Sequence, residues 1–261
     1  MPARDVVIGA PVWADLQTSD PVRAREFYAE VLGWTALAGD PAFGGYFSFV
    51  LGDALVAGCM QADAQAPVSD VWSVYLAVDD AAKTTQAAVD AGGRVVVHAD
   101  PVGDLGSMAF VVDPSGAAVG LWQPGTHRGF GVLAEPGAPA WFELLTRDYA
   151  GALAFYDTVF GWRRQVMGDT DDFRYTVALA PDDDQVAGVM DAPWLPEGVP
   201  SHWGVYFAVA DTDASAATVT RLGGTVQEGP EDTPYGRLVT VTDPMGARFK
   251  LIGPNAAQAA G

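Results

Sequence analysis

The sequence predicts an α+β fold built twice, and three observations carry that expectation. The second half of the chain repeats the first. Each copy sets two amphipathic helical segments among segments of alternating polarity, and Gly and Asp-Pro-x-Gly turns fall at matching places in both. Two strand–helix–three-strand (βαβββ) units per copy, with helices to one side, give an α+β domain of mixed sheets. The sheet faces away from the helices are then free to curve around a cleft.

The repeat is explicit. Pro11-Val12-Trp13-Ala14-Asp15-Leu16 matches Pro139-Ala140-Trp141-Phe142-Glu143-Leu144. Phe27-Tyr28, followed by Val31-Leu32-Gly33-Trp34, matches Phe155-Tyr156, followed by Val159-Phe160-Gly161-Trp162. Val56-Ala57-Gly58 returns as Val186-Ala187-Gly188, and Trp72 to Val78 returns as Trp203 to Val209. Gly92-Gly93 returns as Gly223-Gly224, and Asp113-Pro114-Ser115-Gly116 as Asp243-Pro244-Met245-Gly246. The spacing drifts only from 128 to 131 residues, so insertions are few. The division that follows is a first domain over residues 8–123, a Gly- and Pro-rich linker over 124–138, a second domain over 139–254 and a tail over 255–261.

Each element has a local reason. Trp13, Asp15 and Gln17 alternate with Val12, Ala14 and Leu16, the period of a strand. Asp20 then offers a capping side chain and Pro21 a preset φ. Ala24, Phe27, Tyr28, Val31 and Leu32 fall on one helical face, and Gly33 stops the helix. The second copy repeats this with Asp148, Ala152, Phe155, Tyr156, Val159, Phe160 and Gly161. A strand through Tyr75 or Tyr206 opens the second unit of each copy. It is followed by a helix from Asp80 to Ala91, or from Asp213 to Leu222, ended by a Gly pair. Asp-Pro-x-Gly suits a type I turn between two hairpin strands.

Composition excludes several functions. With 261 residues, 49% of them hydrophobic and 18% charged, neither copy resembles a disordered chain. A formal charge of −19 argues against nucleic acid and against anionic membranes as partners. No apolar run suits a signal peptide or a membrane span, and the single cysteine permits no internal disulfide, which fits a cytoplasmic protein. That residue, Cys59, lies in an apolar run without a basic neighbour and reads as core rather than nucleophile. The acidic runs Asp169 to Asp172 and Asp182 to Asp184 lack the spaced ligands of a calcium loop.

Three features carry a family likeness. They are the helix pattern Phe-Tyr-x-x-x-Leu/Phe-Gly-Trp, the Ala77 to Asp80 strand end and the closing Asp-Pro-x-Gly hairpin. Together they resemble the vicinal-oxygen-chelate superfamily of glyoxalases, bleomycin-resistance proteins and extradiol dioxygenases. The Trp-x-Asp/Glu-Leu opening and the Trp-x-Val-Tyr strand are similar to its tandem two-domain actinobacterial members. Those include a mycobacterial culture-filtrate antigen and hydroxylase-like accessory proteins of anthracycline gene clusters.

The resemblance implies a metal position on each of four cleft-facing strands, filled by His or Glu in metal-using members. Counted from the matched landmarks, three of these positions fall on Trp13, Ser73 and Gly120 in the first copy, and on Trp141, Gly204 and Lys250 in the second. The fourth lies near Gly58 and Gly188. None of these is a His, Cys, Asp or Glu, so the expectation is no metal and no cofactor.

With that count, strand parity sends Trp13, Asp15, Ser73, Tyr75 and Trp122 to the first cleft. It sends Trp141, Glu143, His202, Gly204, Tyr206, Arg248 and Lys250 to the second. Aromatic walls with a few polar groups suit a small planar ligand. Equally, Trp13 and Trp141 can fill the space a metal would take. Asp15, Glu143 and His202 are candidate acids or bases; the alternatives are carboxylates at a wet rim or paired across the domain interface, and a surface histidine in the loop Pro200-Ser201-His202. His98 and His127 carry no such support.

Two functions therefore stand open. One is a metal-independent protein that binds an aromatic natural product or drug, with an accessory or resistance role in secondary metabolism. The other is a metal-free lyase, isomerase or hydroxylase-type enzyme. In both, the fused copies are expected to pack as an internal pseudo-dimer.

Overall fold

The computed structural model describes residues 5–63, 70–180, 183–255 and 257–258. Asp182, in one of the acidic runs, and residues 256 and 259–261 of the tail lie outside the described residues. The first copy runs Pro11–Thr18 (β1), Pro21–Leu32 (α1), Thr35–Ala36 (β2), a 3-10 turn at Pro41–Phe43, Phe47–Leu51 (β3) and Ala54–Gln61 (β4). It continues with Val71–Ala77 (β5), Ala81–Asp90 (α2), Arg94–Val102 (β6), Gly106–Val112 (β7) and Ala118–Pro124 (β8). The second copy runs Pro139–Thr146 (β9), Tyr149–Phe160 (α3), Arg163–Asp169 (β10), Arg174–Leu179 (β11) and Gln185–Asp191 (β12). His202–Ala208 (β13), Thr212–Arg221 (α4), Thr225–Thr233 (β14), Gly236–Thr242 (β15) and Arg248–Gly253 (β16) complete it.

An aspartate starts every one of these helices. Asp20, Asp80, Asp148 and Asp211 each accept a hydrogen bond from the backbone N–H three residues on, satisfying one of the donors a helix start leaves open. The fourth helix thus begins before Asp213, the start expected from sequence. Asp211 is the cap, and Asp213 lies in the first turn with its carboxylate on Arg237. Gly33 and Gly161 end α1 and α3 at φ +73° and +70°, a left-handed conformation that costs a glycine little.

Each copy forms an eight-stranded mixed sheet, in the orders β2-β3-β4-β1-β5-β8-β7-β6 and β10-β11-β12-β9-β13-β16-β15-β14. β1 pairs parallel with β4, and β5 with β8; β9–β12 and β13–β16 repeat this. The hairpin pairs are antiparallel. The α+β architecture of two tandem βαβββ pairs is therefore as the sequence predicts.

The compact units cut across the copies. Chain contacts divide between Trp13 and Ala14, Trp72 and Ser73, Gly129 and Phe130, Trp141 and Phe142, and Gly204 and Val205. One unit unites α1 with α4 and the other α2 with α3. In the α1–α4 unit, Tyr28 Oη donates to Asp243 Oδ2 at 3.1 Å and accepts from Trp72 Nε1 at 3.1 Å. Trp34 stacks on Tyr28 at 5.4 Å and gives its Nε1–H to the Gly137 carbonyl. In the α2–α3 unit, Tyr156 Oη donates to Asp113 Oδ2 at 3.2 Å and accepts from Trp203 Nε1 at 2.8 Å. There Trp162 stacks on Tyr156 at 4.8 Å and donates to the Gly9 carbonyl. Each copy gives the other what it receives, the reciprocity of an isologous contact.

Burial is the main cause of raised pKa values for the Tyr28 and Tyr156 phenols and for the Asp113 and Asp243 carboxyls. Among the described residues, no helix is long and apolar enough to cross a membrane.

Candidate functional site

Strand parity builds one candidate group inside the α1–α4 unit. Leu16 lies opposite Cys59 on the face that α1 covers, so Asp15, opposite Gly58, points to the other face. Asp15 is only 7% exposed. Tyr46 Oη donates to its Oδ1 at 2.8 Å, directly over Gly58. A Cβ added at Gly58 would lie 1.8 Å from Tyr46 Oη and 2.1 Å from Asp15 Oδ1, so this pair requires glycine beneath it. Two residues along β1, Gln17 Nε2 meets Met60 Sδ at 3.6 Å. Burial, and next the Asp15 charge, push the Cys59 thiol up to about 12, which removes it as a nucleophile near neutral pH.

A separate candidate group lies in the α2–α3 unit and is aromatic. Tyr75 is opposite Gly120 and its ring fills the space above that glycine, where a Cβ would be 2.2 Å from Tyr75 Cδ1. Phe110 meets Tyr75 edge to face at 5.1 Å. Trp13 and Trp122, both buried, converge on His127, with ring centroids at 4.5 and 5.4 Å. Trp122 Nε1 donates to the His127 carbonyl at 3.0 Å, and the backbone N–H groups of Gly125 and His127 donate to Leu105. The connecting segment is thus pinned, and His127 is a fixed member of this aromatic cluster. Burial alone lowers its pKa to about 4, so its ring is neutral at pH 7. Ser73, the remaining first-copy candidate, is half-buried at the start of β5.

The second copy differs at the corresponding places. Lys250 replaces Gly120 opposite Tyr206, and Thr240 replaces Phe110. Lys250 Nζ donates to Tyr206 Oη at 2.7 Å and lies 4.6 Å from the ring centroid. Arg248 reaches Glu228 at 3.6 Å. Trp141 is half-buried, while Glu143 is buried opposite Gly188. His202 is the first residue of β13 rather than part of a surface loop, and its Nδ1 hydrogen-bonds the Pro200 carbonyl at 2.9 Å. Nearby, Leu195 and Val199 of the β12–β13 connection pack on Leu145, and Arg147 holds that connection through the carbonyls of Leu195, Pro196 and Val199.

Sequence reasoning missed Tyr46 and discounted His127. Tyr46 follows an irregular turn that strand periodicity does not register, and His127 joins the aromatic cluster only because its segment folds back onto Leu105. Its one sequence signal is a lone aromatic base in a Gly- and Pro-rich linker.

The residues at the four implied metal positions do not suit a divalent ion. In the first copy they are Trp13, Ser73, Gly120 and a place near Gly58, and a ring or a carboxylate–phenol pair fills the space over each glycine. In the second copy they are Trp141, Gly204, Lys250 and a place near Gly188, Lys250 being a cation itself. Among the described residues, no group of three or more His, Cys, Asp and Glu side chains gathers as a metal site.

Comparison with known proteins agrees with this geometry at the level of the fold. The family model described as Glyoxalase/Bleomycin resistance protein/Dioxygenase superfamily matches residues 10–121 and again 138–251. CFP32 of Mycobacterium tuberculosis, whose name carries the word glyoxylase, is 41% identical over 251 residues, covering 94% of this chain and 95% of its own. The anthracycline biosynthesis protein DnrV of Streptomyces peucetius is 34% identical over 272 residues, covering 94% and 93%. The Mn(II)-bound glyoxalase of Novosphingobium aromaticivorans superposes with a TM-score of 0.65 at 15% identity, covering 95% of this chain and 82% of that one. The 2,3-dioxygenase LapB of Pseudomonas sp. KL28 gives 0.64 at 17% identity, covering 96% and 93%. The two matched halves, the repeated sheet order and these relatives place the chain in the glyoxalase/bleomycin resistance protein/dioxygenase superfamily.

Proposed function

We propose that the protein binds a small, planar aromatic molecule without a metal and serves an accessory or resistance role in secondary metabolism. The observation that carries this reading is the fixed aromatic cluster of Trp13, His127 and Trp122, with the Tyr75–Phe110 pair on the same sheet. Rings in edge contact offer faces and rims to a flat guest by offset stacking, and a neutral imidazole adds no charge to repel it. The side chains at the implied metal positions support metal independence, since none supplies a lone-pair set for a divalent ion. The likeness to a protein named for anthracycline biosynthesis supports the metabolic setting. Titration of the protein with aromatic polyketides, followed by tryptophan fluorescence, should give saturable quenching. Flat titrations across a broad panel would remove the reading.

A second reading is favoured by one observation, the burial of Asp15 and Glu143 at matching positions opposite Gly58 and Gly188. A carboxylate in such a place can act as general acid or base for a metal-free lyase, isomerase or hydroxylase-type reaction. His202 is the third candidate, with one ring nitrogen already on a backbone carbonyl. Under this reading, Asp15→Asn and Glu143→Gln lower turnover of a processed substrate by about 100-fold or more. Unchanged turnover in both would end the assignment.

A further inference from the structure

We infer that the cavity between α1 and α4 binds a small primary alkylammonium ion, with Asp211 as the carboxylate that receives its charged end. The inference is independent of the aromatic-ligand reading.

The cavity, of about 330 Å³, is built wholly from residues of the α1–α4 unit. Its apolar lining includes Val31 near the end of α1, Pro136 of the connecting segment, Val209 just after β13 and Ala214 in the first turn of α4. Its charged lining residues are Glu30 and Asp211, both acids.

The walls are fixed by backbone. Gly137 takes φ +91°, and a Cβ there would lie 2.6 Å from the Leu32 carbonyl oxygen, so the chain crosses the end of α1 this closely only as glycine. Gly137 N–H donates to the Ala208 carbonyl at 2.8 Å, and its own carbonyl accepts from Trp34 Nε1. Opposite, Asp211 Oδ1 caps α4 by accepting from Ala214 N–H at 3.0 Å.

The duplication shows what such a place holds when the chain fills it. In the α2–α3 unit, Gly9 takes φ +83° against the Phe160 carbonyl at the end of α3. Its N–H donates to Ala77, and its carbonyl accepts from Trp162. Asp80 caps α2 through Lys83 N–H, as Asp211 caps α4. The Lys83 ammonium then turns back to Asp80 Oδ2 at 2.8 Å, and that hydrogen bond holds the Asp80 carboxyl below its ordinary range. The residue matching Lys83 in the α1–α4 unit is Ala214. Among the described residues no Lys or Arg pairs with Asp211. Glu30 stands where the other copy has Thr158, and Arg221 reaches Glu30 at 3.1 Å, so the unbalanced charge at the cavity is that of Asp211.

Shape and charge then select the ligand. One copy supplies an ammonium on an alkyl stem from its own helix; the other replaces that lysine by alanine and keeps the carboxylate beside an apolar cavity. An alkylammonium ion restores the missing group. Its head donates to Asp211 Oδ2, and its stem lies along Val31, Pro136 and Val209. An anion would meet two carboxylates, and a neutral alcohol would lack the charge-assisted hydrogen bond.

Titration of the full chain with n-hexylammonium and with 1-hexanol at neutral pH and low salt, followed by the amide NMR shifts of Ala214 and Ser215, tests this. The wild type should bind n-hexylammonium saturably and at least about tenfold more tightly than 1-hexanol. Asp211→Asn keeps a good helix cap while removing the charge, and should reduce that preference to within about twofold. Ala214→Lys restores the lysine of the other copy at an exposed helix position, and should do the same by engaging Asp211 from within. Absence of n-hexylammonium binding, equal affinity of the wild type for both probes, or a preference that survives in either variant would overturn the inference. Each of these results leaves the aromatic reading untouched, since neither probe carries a ring.

Discussion

Tyr28 and Tyr156 do under the helices what Tyr46 does on the other sheet face: each phenol donates a hydrogen bond to a buried carboxylate. In the core pairs the same hydroxyl also accepts an indole N–H, so three buried polar groups satisfy one another. Tyr156→Phe removes the hub and leaves Asp113 and Trp203 without that partner. Chemical denaturation should show a loss of about 1–3 kcal/mol. His127 predicts a pH dependence. Its folded pKa of about 4 lies below an unfolded value near 6.5, so the unfolded chain binds its proton first. The stability that rests on the neutral ring is complete above pH 6.5 and falls as pH drops toward 4, by about 3 kcal/mol at most. Asp113 and Asp243 act in the opposite sense, since raised folded pKa values favour the native state when protonated and lose that contribution as pH rises. His127→Gln should flatten the profile between pH 4 and 6.5 relative to wild type.

Among the elements, legibility follows locality. Asp20 with Pro21, the Phe27–Tyr28–Val31–Leu32 stripe and Gly33 all act within one helix, and strand, cap and stop appear where the residues alone put them. Asp113 and Asp243 are legible as turn residues, because their Oδ1 atoms accept from the turn's own backbone. Their Oδ2 atoms reach a tyrosine of the other copy, and no local pattern announces that. The same limit explains the site. Alternation along β1 finds Asp15, but the partner that fixes it comes from a turn of irregular backbone 31 residues away. Alternation along β8 finds Trp122, whereas His127 gains its place from hydrogen bonds to the β6–β7 turn. The α4 start is legible to within two residues, with Asp211 and Asp213 competing for the role and the side-chain bond to Ala214 N–H deciding it.

For the whole molecule, the duplication has a structural consequence beyond repetition. Helix α1 packs with α4 and α2 with α3, so neither copy completes its aromatic core from its own residues. Phe27 meets Phe249, Trp34 meets Phe207, and Trp162 reaches Gly9 across the repeat. Expressed alone, residues 1–123 should expose these rings and associate with themselves, seen by sedimentation as dimers or larger species. Co-expression with residues 124–261 should recover a one-to-one pair, and a stable monomeric first copy would contradict this account. The central proposal, that this protein binds an aromatic ligand with side chains alone, has a direct measurement. The dissociation constant of one quenching polyketide should be compared by tryptophan fluorescence after exhaustive chelation and after addition of Mn(II) or Zn(II). The two values are predicted to agree within about twofold, since among the described residues no donor set gathers to hold the ion. Binding that disappears on chelation and returns with metal would contradict it.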